Sequence, residues 1–210
     1  GSNFTNFFRS KSTMIYIIVA YGDPVLRKKA EDLAPDYDQL DKLIADMYET
    51  MYASHGVGLA APQIGKPIRL FVIDTETVLK AMHDDADDDQ AFAGEQGVKC
   101  AFINARILEM NGHEWEYNEG CLSIPTVRED VTRPDEITIE YLDEKLQSQR
   151  KTFTGFTGRV IQHEYDHIEG VLFTDHLKPL KKRLLKSKLD KISKGDVKVD
   201  YKMRFPLLKR

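Results

Sequence analysis

The densest chemistry in the sequence lies in five consecutive residues, His163-Glu164-Tyr165-Asp166-His167. On a helix, positions four apart differ by roughly 40° around the axis, so both imidazoles leave one face and can bind one metal ion. Glu164 falls about 100° from His163, near enough to reach water at that ion without being a ligand. Read as ordinary structure, the same stretch is two surface histidines on a charged helix. Val160, Ile161, Ile168, Val171 and Leu172 argue against that reading, because they set the segment in a core. A hydrolytic centre of this type takes three protein ligands and keeps a position for water, so a third donor must come from elsewhere in the chain.

Downstream, the spacing imitates H-E-x-x-H-x-x-G-x-x-H only in part. Gly170 has the correct offset, but Phe173 stands where the third His belongs, and His176 comes three residues too late. Upstream, Glu119-Gly120-Cys121-Leu122-Ser123 offers a free Cys beside Gly. A metal would hold such a thiol as the thiolate. Taken by itself, Cys121 reads equally well as a ligand and as a buried structural thiol, the state expected of Cys100. A third segment, residues 56–65, is glycine-rich and apolar. It lacks the Gly-Lys-Ser/Thr of a phosphate loop and the G-x-G-x-x-G of a dinucleotide site. What it offers is bare backbone against which an extended peptide can lie, and the neutral amide of Gln63.

Together, and in order, the segments Gly56 to Gln63, Glu119 to Ser123 and Gln162 to His167 resemble the G-x-G-L-A-A-x-Q, E-G-C-L-S and Q-H-E-x-D-H motifs of the peptide deformylases. Arg159 and Gly170-Val171-Leu172-Phe173 fit as well, and the likeness runs over roughly residues 21–176. Two departures stand out. Ile168 occupies a place where the family often has Leu, and residues 81–97 form an acidic insertion relative to compact members.

The resemblance implies one divalent metal held by Cys121, His163 and His167, with water as the fourth ligand and its pKa lowered toward neutrality. It implies Fe²⁺ in the cell, replaceable by Zn²⁺, Ni²⁺ or Co²⁺; a Cys-His₂ set accepts all four. Glu164 would take a proton from the water and pass it to the leaving amine. The backbone N–H of Leu122 and the side-chain amide of Gln63 would stabilise the oxyanion. The substrate implied is the formyl-Met end of a nascent peptide, and the products are formate and a free amino terminus. Val57 and Gly58 would pair with the substrate backbone. Glu119 and Gly120 would border the substrate, and Phe156, Val160 and the stem of Glu119 would line a methionine pocket with Arg128 at its rim. Asp166 reads as an acceptor for an imidazole N–H, and Arg133 as the partner of a nearby acid.

Two other readings compete. A general metallopeptidase is weakened by the absent third His. A structural Cys-His₂ site in a peptide-binding module would need neither Glu164 nor Gln63, and a structural zinc takes four protein ligands.

The elements that must position these residues follow from periodicity. The 210 residues are 41% hydrophobic and 30% charged, enough apolar material for one core and against a wholly disordered chain. Two cysteines make no disulfide framework, and no apolar run approaches the length of a membrane span. Residues 1–13 read as an expression leader and 14–178 as one catalytic domain. A helix is expected over 37–54, with Leu40, Leu43, Ile44, Met47 and Met51 on one face and Asp36 or Asp38 as its cap. Strands are expected over 68–73, over 99–116 around a turn at Asn111-Gly112, over 137–142 and over 149–153. The metal-binding motif falls in a helix over 157–169. Residues 81–97, with five Asp between 84 and 89, read as a solvated loop without EF-hand spacing. The fold class is α+β: short antiparallel strands packed around a central helix that bears the H-E-x-x-H motif, with a basic helix at the C-terminus.

That C-terminal part, residues 179–210, comprises a helix over 179–194 and an edge strand over 197–203. Residues 178–210 carry 13 Lys/Arg against 3 Asp/Glu, a net +10, which leaves −14 on the rest of a chain whose total is −4. Leu180, Leu184 and Ile192, with Leu185 and Leu189, form an apolar stripe. The expectation is a helix packed on the body with a solvated basic face. A sharper one, implied by the family, is contact with the ribosome. Neither a membrane nor DNA is expected as a partner, and the absence of a secretory signal points to a bacterial-type cytoplasm.

Overall fold

The computed structural model describes residues 12–85 and 92–209. A five-stranded antiparallel sheet forms its frame, in the order β2 (Gly58–Ala60), β3 (Leu70–Asp74), β4 (Lys99–Cys121), β5 (Ile124–Leu142), β6 (Ser148–Thr154). β1 (Ile18–Val19) pairs in parallel with β7 (Met203–Arg204) in a separate two-stranded ribbon. Among the described residues, four α-helices complete the fold: α1 (Leu40–Ala53), α2 (Thr75–Asp84), α3 (Gly155–Ile168) and α4 (Pro179–Ser193). The α+β class is as expected, with the H-E-x-x-H residues on α3.

β3 shows how the frame is held. Every residue from Leu70 to Asp74 is buried. Successive side chains of a strand point to opposite faces. Leu70 and Val72 join the cluster of α1, while Phe71 and Ile73 join the cluster of α3. The sheet is therefore a wall with a helix on each side. A third cluster, of Ile124, Val127, Leu172, Phe173, Leu189 and Ile192, fastens α4 to the base of the β4–β5 ribbon.

Several local expectations are corrected. α1 begins at Leu40 behind Gln39 (φ 53), with no side-chain cap, so neither Asp36 nor Asp38 serves. Residues 75–84, partly within the expected loop, are helical. Asp74 caps them through Thr77 N at 3.0 Å, and Leu79 is buried beneath. Residues 86–91 of the acidic run, like residues 1–11 of the expected leader, lie outside the described residues. Asn111-Gly112 makes no hairpin turn. The strand continues through it, with a register shift between Asn111 and Glu114 and Gly112 at φ +82. The dipeptide that suits a tight turn here serves a bulge, because β4 goes on pairing with β5 as far as Cys121. The hairpin closes instead at Leu122–Ser123, where Cys121 faces Ile124. Of the expected edge strand, only its end joins a ladder: Met203 stands opposite Ile18, and the Lys202 carbonyl accepts from Ile18 N at 3.0 Å. On α4 the buried side is Leu189 and Ile192, whereas Leu180 and Leu184 are exposed. Among the described residues, no helix is long and apolar enough to cross a membrane.

Candidate active site

α3 starts where β6 ends. Glu95, from the segment expected to be solvated loop, accepts hydrogen bonds from Phe156 N and Thr157 N at 3.1 and 2.9 Å. A carboxylate there satisfies two N–H groups that a helix start leaves open. One flank of α3 is buried through Phe156, Val160, Ile161 and Ile168. The helical spacing then sets His163 and His167 side by side, with ring centroids 5.2 Å apart.

Cys121 arrives from the end of the β4–β5 ribbon. Its Sγ lies 3.4 Å from His167 Nε2, and the donor atoms of Cys121, His163 and His167 all fall within 4.8 Å of one another. Among the described residues this is the group of this kind that could hold a metal ion. The donor chemistry fits one. Burial pushes the Cys121 thiol up, but His167 and His163 outweigh it and bring the thiol down to about 5, toward the thiolate form that a metal takes. The His163 ring is turned by Glu119, whose Oε1 lies 2.9 Å from Nδ1, leaving Nε2 toward the other two donors. An outer carboxylate that orients an imidazole in this way is a usual partner of metal-bound His.

Glu119 is itself held by two guanidinium groups. Arg133 donates Nε and Nη2 to its oxygens at 2.7 and 2.9 Å, and Arg159 donates Nη1 at 2.7 Å. Burial raises the Glu119 carboxyl, but His163 and Arg133 overcome it and hold the carboxyl far below the usual range. Arg133 thus pairs with an acid, as expected. Asp166 does accept from an imidazole, but it is that of His176, at 2.8 Å, and it also accepts from Arg133 at 2.9 Å.

Glu164 contrasts with Glu119. It is 4% exposed, and its Oε2 has no hydrogen-bond partner among the described residues. Burial pushes its carboxyl up to about 7, against the pull of His163 and His167. Gln63 is likewise buried. Its Oε1 accepts from Ala60 N at 3.0 Å, which aims Nε2 at Cys121 Sγ (3.5 Å) and Ser123 Oγ (3.2 Å).

These groups open into a cleft of about 880 Å³. Val57, Gly58, Glu119, Gly120, Arg128, Phe156 and Val160 line it, together with Gln63, Cys121, Leu122, His163 and Glu164, so the expected site residues meet in one place. His167, 1% exposed, sits behind. Arg128 lies at the rim, bonded to Asn118 Oδ1 at 2.8 Å. Sequence reasoning missed Val78 and Met82 on α2, Tyr117 on β4, and the segment 198–201. The first pair was legible: Val78, Leu79 and Met82 have helical spacing behind a capping Asp. The remainder depends on tertiary placement.

Comparison with known proteins agrees with this geometry. The polypeptide deformylase family model matches residues 15–183. The peptide deformylase of Christiangramia forsetii is 55% identical over 201 residues, which is 94% of this chain and 99% of that protein. The crystal structure of a peptide deformylase from Legionella pneumophila is 37% identical with a TM-score of 0.69, covering 87% of this chain and 98% of that one. The peptide deformylase of Ehrlichia chaffeensis is 30% identical with a TM-score of 0.73, covering 87% and 99%. The chain therefore belongs to the polypeptide deformylase family, enzymes that remove the formyl group from the amino terminus of nascent formyl-Met peptides.

Proposed function

We propose that this site deformylates formyl-Met peptides with Cys121, His163 and His167 holding one divalent ion, Fe²⁺ in the cell by family likeness. Such an ion supplies Lewis acidity and makes water a nucleophile near neutral pH. Glu164 carries the reading: a buried carboxylate with an unpaired oxygen beside a Cys-His₂ donor set. With its carboxyl near 7, Glu164 is matched to taking a proton from the attacking water and returning it to the departing amine.

The other residues act by placement. Gln63 Nε2 and the Leu122 N–H are assigned to the formyl oxygen as negative charge develops on it, an arrangement that stabilises the transition state more than the ground state. β2 is an edge strand, bonded to β3 alone in the sheet. Its open side accepts an extended peptide as an added strand, with Gly58 as the pairing residue, since the carbonyl of Val57, just before the strand, is taken by Asp74 N at 2.9 Å. Pairing of this kind reads main chain and tolerates varied downstream residues. Val57, Phe156 and Val160 give the methionine side chain an apolar wall. A cytoplasmic location, among formylated nascent chains, goes with that substrate. The exposed basic face of α4, with Leu180 and Leu184 between its lysines, is assigned to the ribosome. Reversing Lys181, Lys182 and Arg183 to Glu should weaken salt-sensitive co-sedimentation.

The test is formate release from formyl-Met-Ala-Ser by anaerobically purified protein. Glu164→Gln should lose about 10²–10⁴ in kcat with its bound metal unchanged. A metal-loaded wild type that releases no formate, or a Glu164→Gln variant as active as wild type, would overturn the reading.

A further inference from the structure

The cleft has a wall that the reaction so far leaves unused. Residues 198–201, between α4 and β7, line it and belong to the basic tail rather than to any of the three sequence motifs. Tyr201 donates its hydroxyl to the carbonyl of Leu122 at 2.8 Å, across 79 positions of sequence. Its ring is half-buried and packs beside Leu122 against the cluster of α1. The preceding residue, Asp200, lies 3.2 Å from His55 Nε2, in the loop that leads into Val57 and Gly58. The segment thus bonds to two other residues of the cleft wall, His55 and Leu122.

We propose that Tyr201 is a positioning residue for deformylation: by holding the Leu122 carbonyl it fixes the place of the turn, and so of the Leu122 N–H on the adjoining Cys121–Leu122 peptide and of the Ser123 Oγ that receives Gln63. The inference rests on the role assigned above to Leu122 and Gln63. Both donors hang on one turn. Gln63 Nε2 donates to Ser123 Oγ at 3.2 Å, and the Leu122 N–H belongs to the turn itself. The turn is gripped at Ser123 by Tyr21 N, which donates to the Ser123 carbonyl at 2.8 Å. Tyr201 grips the carbonyl of Leu122, the central peptide of the turn. Neither Leu122 nor Ser123 has a positive φ. The Tyr201 bond holds the turn from outside, one peptide beyond the Leu122 N–H and beside the Ser123 that receives Gln63. Burial, then the charges of Cys121 and Asp200, push the Tyr201 hydroxyl up, so it remains a donor throughout the physiological range.

A donor that wanders costs the transition state and not the bound substrate, so the effect should fall on kcat. Tyr201→Phe removes the hydroxyl and keeps the ring. One neutral hydrogen bond corresponds to about a threefold to tenfold change. The experiment compares wild type, Tyr201→Phe and Tyr201→Ala, all loaded with nickel, with formyl-Met-Ala-Ser as substrate and metal content and melting temperature measured for each. The expected result for Tyr201→Phe is a kcat per bound metal reduced about threefold to tenfold. KM should stay within about twofold and melting within a few degrees, since neither substrate contact nor packing is lost. Tyr201→Ala should lose at least as much kcat. Unchanged kcat in Tyr201→Phe overturns the proposal, as does a loss that follows metal content or melting, or one carried by KM. A wild type that releases no formate removes the functional reading and this inference with it. An active wild type beside an unaffected Tyr201→Phe removes the inference alone.

Discussion

Gly58 supplies the sharpest steric test of the role proposed for the Glu164 carboxylate. A Cβ built on Gly58 falls 2.7 Å from Glu164 Oε1 and 2.8 Å from both its Cδ and its Cγ, against an ordinary contact of 3.4–4 Å. Gly58 lies in β2, paired with Ile73, and has no positive φ. Alanine therefore suits the backbone, and the whole cost is the clash. The clash involves the side chain from Cγ to its oxygen, and Glu164 is buried, so the whole side chain must give way. Its carboxylate must retreat by about 0.7 Å, a misplacement of the order that costs roughly 10²-fold in rate. Overpacking of this kind costs about 1–3 kcal/mol in stability. None of the three metal donors is among the nearest atoms, so bound metal should be retained. Gly58→Ala is assayed by formate release over a range of substrate concentrations up to saturation, with metal content and melting temperature recorded. The expected result is kcat lower by about 10²-fold with metal in place. A kcat within threefold of wild type refutes the reasoning. So does a defect confined to KM, because Gly58 would then serve only the substrate backbone.

Three further outcomes test what supports the site. Glu95→Ala removes the carboxylate that caps the first N–H groups of α3. It should cost about 1 kcal/mol, or about 2–4 °C in melting temperature, read by calorimetry. Arg133→Met leaves Glu119 buried with one guanidinium fewer, and should cost about 3–5 kcal/mol in denaturant unfolding. Asp74 has its carboxyl lowered. Burial opposes the shift, but Thr77, Tyr52 and Lys99 outweigh it. Its contribution to stability is present above the unfolded value, about 4, and is lost as pH falls through the lower folded value. Asp74→Asn should therefore show a flatter fall in stability below about pH 4 than wild type, measured by denaturant midpoints at a series of pH values.

How far the sequence spoke for this site depended on how local each signal was. H-E-x-x-H needs one helix to have meaning, and α3 supplied it. Cys121 was evenly balanced until two more motifs stood beside it, because its partnership with His163 and His167 is made by the β4–β5 ribbon. Asn111-Gly112 failed for the converse reason. It is a strong local turn signal, but continuous pairing with β5 as far as Cys121 overrode it, and the surplus became a bulge. Had the hairpin closed at Asn111-Gly112, Cys121 would not stand at the end of the ribbon against α3.

The same contrast explains the two glutamates. Glu119 and Glu164 are both buried carboxylates in one cleft, and no sequence pattern separates their acidities. Arg133, Arg159 and His163 converge on Glu119 from β5 and α3 and hold it ionised. Glu164, on the same helix as two of those partners, faces Gly58 and has one oxygen unpaired. Two carboxyls pushed apart in this way suit the roles proposed above: Glu119 as a lasting anion that orients His163, and Glu164 as the group that takes up and releases a proton. The division lies in tertiary contacts. Substitutions at Arg133 should therefore act through the ligand and the fold, and those at Gly58 through the chemical step.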